Sequence, residues 1–253
     1  MGLIALVTVA NGQANTREVA AARRVMTYAM QDLAEKPAFA LILQGESGGN
    51  DIDINTYVRR IGDITQIEIG VWENREMTQH IIADGETLWG LNVRANTFVG
   101  YEYRTQPEPL KFVTTQLAAM LRGKGNVIPR FLDDIFFRTS NRQWQPFLTL
   151  GEPYIDWEVG KIEFVRGNVK GKPAEEMLYC FESFQEFGSE ENQVRYGLNN
   201  VYFRQREQTV KGVVETAWSI DIFRKNFVPK VKFKFIPPKG ARAVSVGKPI
   251  TKD

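Results

Sequence analysis

Between His80 and Leu91 the chain reads HIIADGETLWGL. Asp84 and Gly85 both tolerate a positive φ, so they predict a tight turn, and the apolar stretches on either side of it make a β-hairpin. Outward from there, QIEIGVW sets Ile67, Ile69 and Val71 on one face with period two, and TFVGYEYR gives a further strand beyond the hairpin. Upstream, AFALILQG around Leu41 and DIDINTYVRR are two more strands. GESGG, from Gly45 to Gly49, is the turn between them, because it lacks the Lys-Ser/Thr and the helix of a phosphate loop. Consecutive strands with short turns predict an antiparallel meander.

Helical spacing flanks and interrupts these strands. TREVAAARRVMTYAMQDLAEKP sets Val19, Ala22, Met26, Ala29, Met30 and Leu33 on one stripe, with Thr16 able to cap the start and Pro37 ending the helix. EPLKFVTTQLAAMLRGKG does the same with Leu110, Val113, Leu117, Met120 and Leu121, and IPRFLDDIFFRTS with Ile128, Phe131, Leu132, Ile135 and Phe136. Gly123 and Gly125 separate the two. Strand patterns resume at GKIEFVRGNVKGKP, EEMLYCFESFQEF, NQVRYGLNNVYFRQRE and VKGVVETAWSIDIF. The chain closes on VKFKFIPPKGARAV, where Val231, Phe233 and Phe235 alternate with lysines until Pro237 and Pro238 stop ladder pairing. That segment is expected to be a late, half-buried strand whose rings face the same concavity as Trp89 and Trp218. The expected class is α+β: a strongly curved antiparallel sheet, with an N-terminal helix and a two-helix insertion covering its concave side. No repeat or low-complexity linker divides it, so residues 15–245 are expected to form one domain, followed by a flexible basic tail at 246–253.

The first fourteen residues are set apart. GLIALVTVA followed by NGQA has the form of a signal-peptide h-region and cleavage site without its basic start, the other reading being a first strand or an apolar terminus. The run is too short for a transmembrane span, which needs about 20 apolar residues, and no other segment is longer. Export to the periplasm, or out of the cell, is the resulting expectation.

Composition and charge exclude several classes. The chain has 253 residues, 43% of them hydrophobic, enough for a substantial core. Lys plus Arg total 32 against 30 Asp plus Glu, so the net charge of +2 offers nucleic acid no basic footprint. Cys180, the single cysteine, can form neither an intramolecular disulfide nor a zinc cluster. His80 is the single histidine and has no triad motif beside it. The acidic pairs Asp133–Asp134, Glu175–Glu176 and Glu190–Glu191 are adjacent in sequence and point to different faces. No catalytic residue, metal site or cofactor is therefore expected.

What stands out is the apolar load on strands. Phe39, Leu41, Leu43, Trp89, Leu91, Val99, Tyr101, Tyr103, Trp218, Ile220, Phe233 and Phe235, with Leu117 and Phe131 from the helices, are either ordinary core or the walls of an unfilled cavity between sheet and helices. Acyl chains suit such a cavity, since each buried CH₂ contributes about 0.8 kcal/mol.

The order of motifs carries a resemblance. The helix Arg17–Glu35, VRRI (58–61), DGETLW (84–89), TTQLAAMLRGKGNVIPRFLDDIF (114–136), VKGKP (169–173) and FKFIPPKGA (233–241) follow one another as in the LolA-like lipoprotein-carrier superfamily. Within it, the chain most resembles DUF2092, a family of predicted periplasmic proteins of unknown function. Two features depart from that pattern: Ile61 stands where the family has proline, and Tyr179-Cys180 stands where it has Cys-His, which removes any argument for metal there. The resemblance implies a half-barrel closed by helices that carries or senses a lipid or lipoprotein acyl chain, with a membrane-associated protein as a further partner. It also implies that a strand arginine, Arg59 or Arg60, latches the helical lid, the plainer reading being an outward-facing arginine. A different class remains open: a docking or regulatory module with a solid core and no ligand. A hydrolase would need His80 in a pocket beside a nucleophile.

Overall fold

The computed structural model describes residues 16–47, 49–121, 127–133, 135–136, 153–156, 161–166, 174–185, 194–209, 212–223 and 233–244. The expected signal remnant, the glycine break at 123–125, the turn at 169–173 and the basic tail all lie outside these residues. Helix α1 (Thr16–Glu35) buries Met26, Ala29, Met30 and Leu33, as its 3.6-residue spacing requires, and ends just before Pro37. Then come β1 (Ala38–Ser47), β2 (Asn50–Ile61), β3 (Ile64–Glu73), β4 (Glu76–Ala83), β5 (Thr87–Asn92) and β6 (Thr97–Glu102). Helices α2 (Pro109–Met120) and α3 (Val127–Asp133) precede a second run: β7 (Pro153–Asp156), β8 (Lys161–Arg166), β9 (Ala174–Gln185), β10 (Val194–Thr209) and β11 (Gly212–Phe223). A two-residue strand, β12 (Arg242–Ala243), follows.

All described strands join one open sheet in the order β12-β6-β5-β4-β3-β2-β1-β11-β10-β9-β8-β7. Each run of strands is an antiparallel meander, and the antiparallel pairing of β1 with β11 fuses the two. The β12–β6 pair alone among these is parallel. The fold is thus α+β, a largely antiparallel open sheet with helices on one face.

Register assigns the faces. Phe39, Leu41 and Leu43 of β1 lie opposite Val58, Thr56 and Ile54 of β2, which lie opposite Ile67, Ile69 and Val71 of β3. Ile220 and Ile222 extend the row on the other side of β1. These residues form one buried cluster with Met30 and Leu33 of α1, Val113 and Leu117 of α2, and Phe131 and Leu132 of α3, so this is the helix-facing, or inner, face. Trp218 belongs to it, its indole lying over Gly45 directly across the β1–β11 pair, where a Cβ would fall inside the ring.

The closing segment departs from expectation. Residues 233–238 form no strand, and Phe233 itself holds φ at 42°, outside the extended region a ladder needs. Pro238 to Ala241 make a turn closed by Ala241 N–H donating to the Pro238 carbonyl at 3.0 Å, with Gly240 supplying the φ of 77° at its third position. Only then does the chain pair, Arg242 N–H donating to Asn96 O and Val244 N–H to Phe98 O. The prolines therefore precede the true strand instead of ending it.

Candidate functional site

The fourteen apolar residues expected to line one cavity divide between two faces. Phe39, Leu41, Leu43, Val99, Tyr101, Tyr103, Trp218 and Ile220 are on or beside the inner face, and Leu117 and Phe131 reach it from the helices. Trp89 and Leu91 are not there. Their partners across β5–β6 are Gly100 and Phe98, whereas Leu88 and Gly90, opposite Tyr101 and Val99, hold the inner positions. A period-two strand puts neighbours on opposite sides, so Trp89 and Leu91 must face outward.

Phe233 and Phe235 join them there. Phe235 stacks on Trp89 at 4.9 Å between centroids and meets Phe98 at 5.3 Å. Trp89 lies flat over Gly100, where a Cβ would come 2.6 Å from its ring. Ile82, Leu91 and Phe233 are buried here, apart from the inner cluster. Segment 233–244 is a strap across the outer face of β4 to β6, and the expected concavity shared by Phe233, Phe235, Trp89 and Trp218 does not exist.

Polar contacts fasten that strap. The Arg59 guanidinium lies 4.5 Å from the Phe233 ring centroid and donates from Nε and Nη2 to Gln66 Oε1 at 3.0 and 2.6 Å. Gln66 Nε2 donates to the Asp84 carbonyl at 2.6 Å, and Trp89 Nε1 donates to Asp84 Oδ2 at 3.0 Å. Asp84 Oδ1 meanwhile accepts from the N–H groups of Glu86 and Thr87, closing its own turn. Arg59 is thus a clasp for the C-terminal strap and not a latch on the helices.

Arg60, one residue on, faces inward. Its guanidinium lies 5.6 Å from the Phe136 ring just past α3, and Phe136 in turn meets Phe39 at 6.5 Å. Of the two arginines, this one touches the helical side, through a ring and not through backbone carbonyls.

The inner face is tightly filled over most of its area. Phe39, Leu41, Leu43, Phe131 and Ile220 have 0% exposure, and Leu117 1%. A water-sized void beside any of them would leave accessible surface, so their neighbours fill the space. Packing loosens towards β5 and β6, where Tyr101, Phe112, Leu110 and Met120 are only half-buried against the cluster. Met120 of α2 sits over Gly90, and Phe112 meets Tyr101 edge-on at 6.4 Å. Tyr103 is at the boundary, its hydroxyl accepting from Gly85 N–H at 2.8 Å and donating to Thr65 O at 3.4 Å. Burial pushes its pKa up to about 12, opposed by the Gly85 hydrogen bond and assisted by the Asp84 and Glu86 carboxylates.

Beyond Gly90 the inner face turns polar. A pocket of about 400 Å³ is lined by Thr78, Gln79, Asn92, Arg94 and Ala95. A bulge in β4, where the register against β3 shifts between Val71 and Trp72, lets Thr78 and Gln79 both serve this pocket. Arg94 Nη1 pairs with Glu73 at 3.2 Å, and Thr78 Oγ1 donates to the same carboxylate at 3.4 Å. None of these residues carries a motif, and no local pattern announces the bulge.

His80 is on the outer face, opposite Leu91, with Nε2 2.9 Å from Glu68 Oε1. Among the described residues no group of His, Cys, Asp and Glu is placed to hold a metal ion, and no helix is long and apolar enough to cross a membrane.

An open antiparallel sheet with an apolar inner face under helices is the class these features define. No family model matches the chain, and no curated protein matches it either. Among solved structures it is similar to an uncharacterized conserved protein from Thermus thermophilus, at 13% identity and a TM-score of 0.44 over 88% of this chain and 98% of that one. It is also similar to a DUF1329 family protein from Desulfovibrio piger, at 10% identity and a TM-score of 0.29 over 85% and 97%. At these values neither likeness assigns a family or a ligand.

Proposed function

We propose that the protein is a non-enzymatic carrier or sensor, exported to the periplasm, that takes a lipid-like ligand such as an acyl chain or a lipoprotein between the inner face and the helices. A LolA-like half-barrel with a curved sheet, nearest to DUF2092, is the architecture this reading entails, with a membrane-associated protein as donor or acceptor. The observation that carries it is the half-buried seam of Tyr101, Leu110, Phe112 and Met120, continuous with the buried inner cluster. Met120 rests on Gly90, which has no side chain to interlock with it, and a flexible thioether is readily displaced. A chain entering there lifts α2 and α3 from the sheet, and the Arg60–Phe136 contact is what must open. Each CH₂ it buries returns about 0.8 kcal/mol.

The filled stretch around Phe39 and Phe131 favours a second reading, a solid-core docking module. Native mass spectrometry and lipid extraction of protein purified from its source, with melting curves on added fatty acids, separate the two. A carrier brings lipid with it or gains thermal stability on adding lipid; protein that is repeatedly empty and unshifted is the module.

A further inference from the structure

The strap turns its rings to the sheet and its charges to solvent. Phe233 is buried and Phe235 stacks on Trp89, while Lys234 and Ile236, on either side of Phe235, are exposed. The turn that follows continues this outward surface with Pro237, Pro238 and Lys239, and Arg242 and Val244 complete it beside β6. Ile236 is 66% exposed, more than any other large hydrophobic residue described, and Val244 is 47% exposed. The two prolines fix φ directly after Ile236, so the surface is presented with little conformational freedom left to lose on binding.

Charge gathers on the same part of the chain. The net charge is only +2, yet from Ile222 to Lys252 the sequence holds nine Lys and Arg and no Asp or Glu. The near-neutral total is thus a basic C-terminal stretch cancelled by an acidic remainder. Lys36, Arg94 and Arg104 each pair with a carboxylate, whereas the side chains of Lys234, Lys239 and Arg242 have no partner among the described residues. Like charges held on one surface repel one another, and that repulsion is relieved when anions gather against them.

We infer that the outward surface of the strap docks the protein on an anionic lipid bilayer. Each cation brought near such a surface is worth about fivefold in affinity, and the strap offers three at fixed places. Ile236 and Val244, set among them, reach the apolar side of the interface while the lysine ammonium groups stay at the level of the lipid phosphates. Apolar insertion and basic charge are each weak anchors alone and hold a protein in combination. A nucleic acid would answer the charge but leave Ile236 and Val244 in water, and it would find no ring to stack on, since Phe233 and Phe235 are engaged with Arg59 and Trp89. The docking is independent of what fills the inner face: a carrier and a solid-core module would use it alike.

Flotation titrations of the full chain with vesicles of phosphatidylglycerol or of phosphatidylcholine, at about 0.15 M salt, test this, with oligo-dT and polyglutamate as soluble polyanions. Wild type should bind the phosphatidylglycerol vesicles, ignore the phosphatidylcholine ones, and come off at about 1 M salt. The triple variant Lys234→Gln/Lys239→Gln/Arg242→Gln should lose on the order of a hundredfold in affinity, and Ile236→Ser about fivefold, with melting curves like those of wild type. If the triple variant melts early, Lys234→Gln/Lys239→Gln takes its place, with a loss of about 25-fold. No binding to phosphatidylglycerol, equal binding to phosphatidylcholine, or a charge variant that binds like wild type overturns the inference. So does a soluble polyanion bound as tightly as the vesicles with no loss in Ile236→Ser, which would give the surface to a nucleic acid or an acidic protein.

Discussion

Tyr103 shows how a single side chain can look like a ligand contact and be a structural pin. Its hydroxyl is the partner of the Gly85 N–H inside the hairpin turn, and burial holds its pKa at about 12. Below the unfolded value near 10 both states keep the proton, so stability is unaffected; between 10 and 12 the unfolded chain releases it and the folded one does not. Stability should therefore fall over that interval, by on the order of 2 kcal/mol. Tyr103→Phe should cost about 1–2 kcal/mol at neutral pH by orphaning the Gly85 N–H, and should flatten the alkaline decline when urea melts are compared at pH 8, 10 and 12. Equal alkaline slopes for both proteins would refute the assignment. Asp84 teaches a related lesson. Its place beside glycine was legible as a turn, but its second oxygen binds Trp89, and that partner depends on an indole five residues away turning back over the sheet.

At the scale of elements, the strands and helices were largely legible because their periodicities are local. The strap was not. Alternation in VKFKF has the form of a strand, yet Phe233 is buried beside Arg59 with a left-handed backbone, and the pairing falls at Arg242–Ala243. Faces misled for a similar reason: Trp89 and Tyr101 are both aromatic strand residues, but only pairing shows that they stand on opposite sides of the sheet. If the strap is held by the Trp89–Phe235 stack, Phe235→Ala should cost about 2 kcal/mol and red-shift the tryptophan emission. The shift should vanish in a Trp89→Phe background; a shift that persists there would place the change elsewhere.

At the scale of the molecule, β1 decides cohesion. It is bonded to β2 of its own meander and to β11 of the other, with Ile42 opposite Asn55 of β2 and Asp221 of β11. Proline at Ile42 removes a ladder bond from a strand paired on both sides and should cost at least about 2 kcal/mol. Trp72 in the first meander and Trp218 in the second, read separately in single-tryptophan variants, should then still lose structure at the same urea concentration. Two separated transitions would show that the meanders fold independently. The sequence by itself determined the class, the helices, the hairpins and the apolar load, since each follows from residue spacing within a dozen positions. Only the tertiary structure decided which face each ring covers, that Arg59 clasps the strap while Arg60 meets the helices, and that a bulge gathers Gln79 and Asn92 into a polar pocket. Those outcomes depend on register between strands distant in sequence, which no local pattern encodes.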